Sequence, residues 1–269
     1  MHNHISRAIA VAAILGIFLS SCNILEDRNE CPCRLLFKAV DLPDGQHVPI
    51  IYIYDGNTMK ERIEVPAGQL SEGYVHDIDR KKNVEIYVWC DTTGYVFPAF
   101  AIDGPEILGE NGEDFPALYK FGTFMDTRVE EAEVTIDFNK RFATLNASIL
   151  NEENDIGGLY LEGYSNGYKI NGEPVSGKFY CRPDFTYRDK YVSFSTRLPQ
   201  QTDDGLMIGI YDMDGDSYKI PLGKILASKG YNWEAKDLMD IELTINGNLM
   251  EIRLGNAEWV TGSWGDLIL

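Results

Sequence analysis

The sequence predicts an all-β protein built from two antiparallel β-sandwich domains in tandem. Three observations carry that prediction. Short runs that alternate apolar and polar residues recur along the chain, the period-2 signature of a half-buried strand. Gly, Pro, Asn and Asp separate these runs at close intervals, as turns require. Helical periodicity is scarce. Roughly twelve to fourteen strands can be counted, too many for one seven-stranded sandwich. With 269 residues, each half keeps enough chain to bury its own core.

The first residues read as a targeting segment rather than as part of the fold. Arg7 and the terminal amine precede an unbroken apolar run, Ala8 to Leu19 (AIAVAAILGIFL). The run is too short to span a bilayer as a helix, which takes about 20 apolar residues. Leu19-Ser20-Ser21-Cys22 follows, and it resembles the lipobox of bacterial lipoproteins, in which cleavage precedes the cysteine. Residues 1–21 are therefore expected to be a lipoprotein signal peptide and Cys22 the acylated first residue of the mature chain. Residues 22–32, polar and acidic in Asn23–Glu30 (NILEDRNE), would tether the lipid to the first strand. Acyl chains contribute roughly 0.8 kcal/mol per buried CH₂, so several on one cysteine give a firm anchor.

The strands follow in order. Cys33–Val40 (CRLLFKAV), Val48–Asp55 and Thr58–Val65 come first, and Asp55-Gly56-Asn57 marks a hairpin between the last two. Val84–Cys90 (VEIYVWC) alternates cleanly, with Val84, Ile86, Val88 and Cys90 on one face and Glu85, Tyr87 and Trp89 on the other. Residues 102–116, rich in Gly, Pro and acids, read as a loop. Glu133–Phe138, Arg141–Leu150, Ile156–Tyr164, Val192–Leu198, Leu206–Asp212 and Ser217–Leu222 continue the series. Leu222–Ser228 is the one segment with helical spacing. Leu238–Ile245, Leu249–Leu254 and Trp259–Leu269 complete the chain. The polar stretch Asp126–Glu133 suits a connector, which divides the mature protein into domains 33–130 and 131–269.

Charge and motif narrow the function. Lys and Arg number 24 against 42 Asp and Glu, a formal charge of −18. Loss of residues 1–21 removes one base, Arg7, and no acid, leaving 23 bases, 42 acids and a charge of −19. A surface this acidic repels phosphate backbones, so nucleic acid is not an expected partner. There is no P-loop, no GxGxxG after a strand, no HExxH and no nucleophile elbow. After maturation only His47 and His76 remain as histidines, both read as surface residues, and abundant carboxylates hide any glycosidase pair. No catalytic residue, cofactor or small-molecule substrate is expected.

Asp212-Met213-Asp214-Gly215-Asp216 offers three acids within five residues, so Asp212, Asp214 and Asp216 are candidate calcium ligands. The run departs from the EF-hand loop, and the stronger reading is a hairpin tip with Gly215 at positive φ. Four cysteines lie beyond Cys22: Cys31, Cys33, Cys90 and Cys181. They allow three connectivities. Cys33 opens one strand and Cys90 closes another, so antiparallel neighbours would bring this pair together as a disulfide. Tyr52, Tyr54, Tyr87 and Trp89 on strands, with Tyr160, Tyr164 and Tyr168 in a Gly-rich stretch, would serve either as core packing or as a stacking platform for sugars, packing being the commoner use.

A lipobox cysteine, an acidic tether, then Cys31-Pro32 directly before an apolar strand resembles the FimB/Mfa2-type fimbrial anchor subunits of Bacteroidetes, within the fimbrillin superfamily. Val134-Thr135-Ile136-Asp137-Phe138 with Lys140-Arg141 is similar to the family's entry into its C-terminal domain. The segments Leu222–Leu226, Trp233, Ile241–Ile245, Ile252–Leu254 and Trp259/Trp264 are similar to its end. Cys33 is a departure. The resemblance implies two transthyretin-like sandwiches, a non-enzymatic outer-membrane lipoprotein bearing palmitate or a similar acyl group on Cys22, fimbrial subunits as partners, and a joint made by strand addition at the fimbrium base. The alternative is a lipid-anchored surface protein that captures glycans for an uptake system.

Overall fold

The computed structural model describes residues 31–43, 48–66, 68–80, 83–90, 101–103, 115, 117–247 and 249–263. These residues form two β-sandwiches in succession.

In the first, β1 (Cys33–Ala39) turns Cys33, Leu35, Phe37 and Ala39 inward by strict alternation. It pairs antiparallel with β4 (Tyr74–Ile78) and parallel with β8 (Glu131–Ile136), making a three-stranded sheet. The facing sheet has five strands in the order β3-β2-β5-β7-β9, where β2 is Ile50–Asp55, β3 Thr58–Glu64, β5 Val84–Cys90, β7 Tyr119–Met125 and β9 Asn139–Lys140. Asp55 and Thr58 close the β2–β3 hairpin, and Gly56 takes φ 58° there, a left-handed conformation that glycine adopts without strain. Leu35 and Phe37 meet Ile51, Ile53, Ile86 and Val88 across the interior, with Val134 and Ile136 beside them. A four-residue helix, α1 (Gln69–Glu72), covers one end with Leu70.

The second sandwich sets a six-stranded sheet over a four-stranded one. The six strands run β14-β15-β10-β18-β19-β20, comprising Phe185–Arg188, Tyr191–Pro199, Phe142–Leu150, Ile241–Asn246, Leu249–Leu254 and Val260–Ser263. The four run β13-β11-β16-β17, comprising Phe179–Cys181, Ile156–Gly163, Met207–Asp212 and Ser217–Ile220. Leu145, Ile149, Leu243 and Ile252 fill the interior against Leu159, Leu161, Ile208 and Ile210, and α2 (Leu222–Ser228) adds Leu222, Ile225 and Leu226. A short pair, β6 (Ala101–Asp103) with β12 (Gly167–Lys169), stands outside both sandwiches.

The all-β class and the double sandwich are as predicted. Each sandwich, however, contains one parallel pairing, β1 with β8 and β10 with β18, among otherwise antiparallel ladders. The first of these bears on the division between residues 130 and 131. β8, assigned by that division to the second domain, belongs to a sheet of the first sandwich, and β9 joins β7 there. We therefore place the boundary after Lys140. The expected loop at 102–116 begins instead inside β6, and most of it lies outside the described residues.

Candidate functional site

Within the five-stranded sheet, β2 and the C-terminal end of β5 are buried on both faces, an arrangement that strict alternation does not anticipate. One face holds Ile51, Ile53, Ile86 and Val88 against the first core. The other presents Ile50, Tyr52, Tyr54 and Trp89 to the second sandwich, and these side chains join the core that contains Tyr168 and Ile170. Trp89 is wholly buried, its Nε1 donates to the Ile170 carbonyl at 3.1 Å, and its ring centroid lies 5.9 Å from that of Tyr168.

Tyr168 orders the second sandwich's side of this junction. Its hydroxyl donates to the Arg141 carbonyl at 2.5 Å and accepts the Gln200 N–H at 3.0 Å. Burial pushes its pKa up to about 12, so it stays a neutral donor. The hairpin that carries it is closed by the Tyr168–Pro174 bridge and by the Lys169 N–H on the Glu173 carbonyl. At its tip Gly172 adopts φ +88°, and a Cβ there would stand 2.6 Å from the Lys120 side chain. Lys120 Nζ donates to the Asn171 carbonyl at 2.5 Å, and Arg141 Nη2 donates to the Gly172 carbonyl at 3.1 Å. Burial, with a smaller repulsion from Arg141, brings the Lys120 pKa down to about 8.

No family model and no curated protein matches the chain. Solved structures do. The fimbrial anchor protein Mfa2 from Porphyromonas gingivalis superposes with a TM-score of 0.65 at 11% identity, over 86% of this chain and 99% of that one. The chain has the fold of the fimbrial anchor Mfa2. A putative adhesin from Bacteroides ovatus shares it, with a TM-score of 0.62 at 14% identity over 89% and 98% of the two chains. So does a structure from Bacteroides thetaiotaomicron described as putative polysaccharide binding proteins, with 0.61 at 12% over 84% and 98%. The resemblance read from the lipobox and Cys-Pro tether is thus met at the level of fold.

On this Mfa2-like frame the residues singled out from sequence fall as follows. Cys22, His47 and Trp264 lie outside the described residues. Cys33 is a buried free thiol on β1, whose neighbours are β4 and β8, whereas Cys90 closes β5 in the opposite sheet. The premise that the two strands are antiparallel neighbours is corrected, and no disulfide joins them. Burial raises the Cys33 thiol pKa. Cys181 faces Thr196, Sγ to Oγ1 at 3.3 Å. His76 on β4 meets Glu61 on β3, a polar clasp between edges of the two sheets.

Asp212, Asp214 and Asp216 do form a hairpin tip. Asp212 Oδ1 accepts the Asp214 and Asp216 N–H groups at 3.0 and 2.8 Å, and Gly215 takes φ +94°. Among the described residues no group of three His, Cys, Asp or Glu side chains is placed to hold a metal. No helix among them is long and apolar enough to cross a membrane. Of the aromatic residues, Tyr52, Tyr54, Tyr160, Tyr168 and Trp89 are packing residues, while Tyr164 is 57% exposed. Lys120 and Gln201 were not singled out from sequence, and Arg141 only within the Lys140-Arg141 resemblance. Each is a polar residue in a polar context, and nothing local signals that the other sandwich will bury it.

The edges of the sheets are the remaining feature of functional interest. β3 is guarded by Lys60, Glu61, Arg62 and Glu64, β8 by Glu131 and Glu133, β4 by His76 and Asp77, β17 by Lys219 and β14 by Arg188. Such charges discourage a further strand. β20 (Val-Thr-Gly-Ser) carries none, and neither does β13 (Phe-Tyr-Cys); β13 is flanked by Lys178 and Arg182, whereas exposed Trp259, Val260 and Leu249 lie at β20. Its one ladder among the described residues is with β19.

Proposed function

We propose that this protein is a non-enzymatic component of a cell-surface fimbrium, held in the outer membrane by lipid on Cys22 and joined to fimbrial subunits by β-strand addition. The observation that carries the reading is the likeness to Mfa2 over 99% of that anchor's chain, both sandwiches included. A likeness confined to one sandwich would fit any β-sandwich protein; one covering both, in the same succession, favours the same mechanical task. The lipobox supplies a fixed end. An uncharged edge supplies a place for an incoming strand, because main-chain N–H and C=O groups left open by one chain are satisfied by the next. β20 is the edge we assign to that joint.

Affinity purification of the protein from cells that assemble its fimbria tests this reading. Fimbrial subunits should co-purify, and Val260→Lys, at an exposed edge position, should remove them without changing the melting temperature. Recovery without any fimbrial subunit would overturn the fimbrial role. Undiminished recovery with Val260→Lys would move the joint to another edge.

A further inference from the structure

Where the two sandwiches meet they leave a cleft of about 590 Å³. Its walls come from both: Lys120 of the first, and Arg141, the 171–174 hairpin tip, residues 200–204, α2 and Trp233 of the second. Junctions between domains are where ligand sites commonly form.

One feature of this cleft is not explained by folding alone. Lys120 and Arg141 are both partly buried cations on its wall, and neither is paired with a carboxylate among the described residues; they are held by carbonyls, by the Gln200 amide and by the faces of Tyr87 and Tyr168, each 5.4 Å from the ring centroid. Two like charges drawn out of water without a counter-ion oppose stability.

The rest of the lining limits what could fit. Asp203, Asp204 and Glu234 stand on the same walls, and Glu173 is already neutralised by Lys169 at 2.7 Å. A polyanion would extend its charge along the acidic part of the lining and be repelled there. A ligand with one carboxylate can keep that charge beside the two cations. Carboxylates and the Thr202 hydroxyl are natural acceptors for neighbouring hydroxyl groups, and the half-buried ring of Trp233 offers an apolar wall for the C–H face of a pyranose. We infer that the cleft between the sandwiches binds an acidic sugar unit, a pyranose with one carboxylate. The carboxylate meets Lys120 and Arg141, the hydroxyls meet Asp204, Glu234 and Thr202, and the ring lies along Trp233.

The inference does not rest on the fimbrial reading and would survive its failure. Isothermal titration of the purified protein with glucuronate, galacturonate, glucose, galactose and acetate tests it. At least one uronate should saturate the protein at least tenfold more tightly than its neutral counterpart. Lys120→Met should weaken that uronate tenfold or more without lowering the melting temperature. Trp233→Leu should weaken the uronate but leave acetate unchanged. Equal binding of uronate and neutral sugar would overturn the role of the cations. Equal binding of uronate and acetate would overturn the sugar assignment, and no saturable binding of either uronate would overturn the site. Uronate binding unaffected by Lys120→Met and Trp233→Leu would likewise refute this location.

Discussion

Tyr168→Phe removes one oxygen atom from the centre of the junction. That hydroxyl serves two backbone groups, the Arg141 carbonyl and the Gln200 N–H, and the ring around it is fully buried. The variant keeps the ring in contact with Trp89, so hydrophobic packing is nearly unchanged. What is lost is satisfaction of one donor and one acceptor. A buried group left without a partner costs about 1–3 kcal/mol, so with some local relaxation the variant should lose about 2–4 kcal/mol. Urea unfolding at constant slope reads this as a shift in midpoint. Tyr164→Phe four residues away provides the scale, because Tyr164 is 57% exposed and an exposed substitution changes stability by less than about 0.5 kcal/mol. If Tyr168→Phe falls within 0.5 kcal/mol of the parent, the hydroxyl does not hold in place the hairpin that receives Trp89.

Other consequences are as direct. Trp89→Ala should destabilise the chain by about 3–5 kcal/mol, the range for deleting a buried large aromatic, and a loss below 1 kcal/mol would mean that the outer face of the five-stranded sheet is not sealed. The Lys120 pKa, about 8 in the folded protein against an ordinary 10.5, fixes the sign of a pH effect. Between these values the unfolded chain binds more protons, so parent stability should rise relative to Lys120→Met as pH climbs from about 8 to 10.5; a flat difference would contradict the burial of this amine. Asp212→Asn should cost about 1 kcal/mol by weakening two turn hydrogen bonds, and added calcium should leave the melting temperature of the parent unchanged. A calcium-dependent rise would restore Asp212, Asp214 and Asp216 as ligands.

Much of the fold was legible because the relevant physics is local. β1, the β2–β3 hairpin, β5, β10 and α2 follow from alternation, from Asp-Gly-Asn at the turn, and from the spacing of Leu222, Ile225 and Leu226. β7 (YKFGTFM) was not seen, since its intermediate and exposed positions do not separate into an apolar and a polar face. β12 to β14 are three or four residues long, too short for a period to show. The division at residue 130 sets β8 apart from β1, yet β8 lies parallel to that strand, almost a hundred residues earlier, and no local pattern encodes that pairing. The same holds for the disulfide: Cys33 and Cys90 each end a strand, but topology places those strands in opposite sheets. The candidate cleft was least legible. Trp89 and Ile170 are 81 residues apart in sequence, and only their docking converts Lys120, Arg141 and Gln201 from surface residues into cleft residues.

The central claim is mechanical, that Cys22 fastens a fimbrium to its cell. Replacing Cys22 by Ala in the living bacterium and weighing fimbrial material in the cell pellet against the culture fluid addresses it most directly. The account predicts that fimbriae still assemble but are shed into the fluid. Fimbriae that remain on the cells in parental amounts would contradict it.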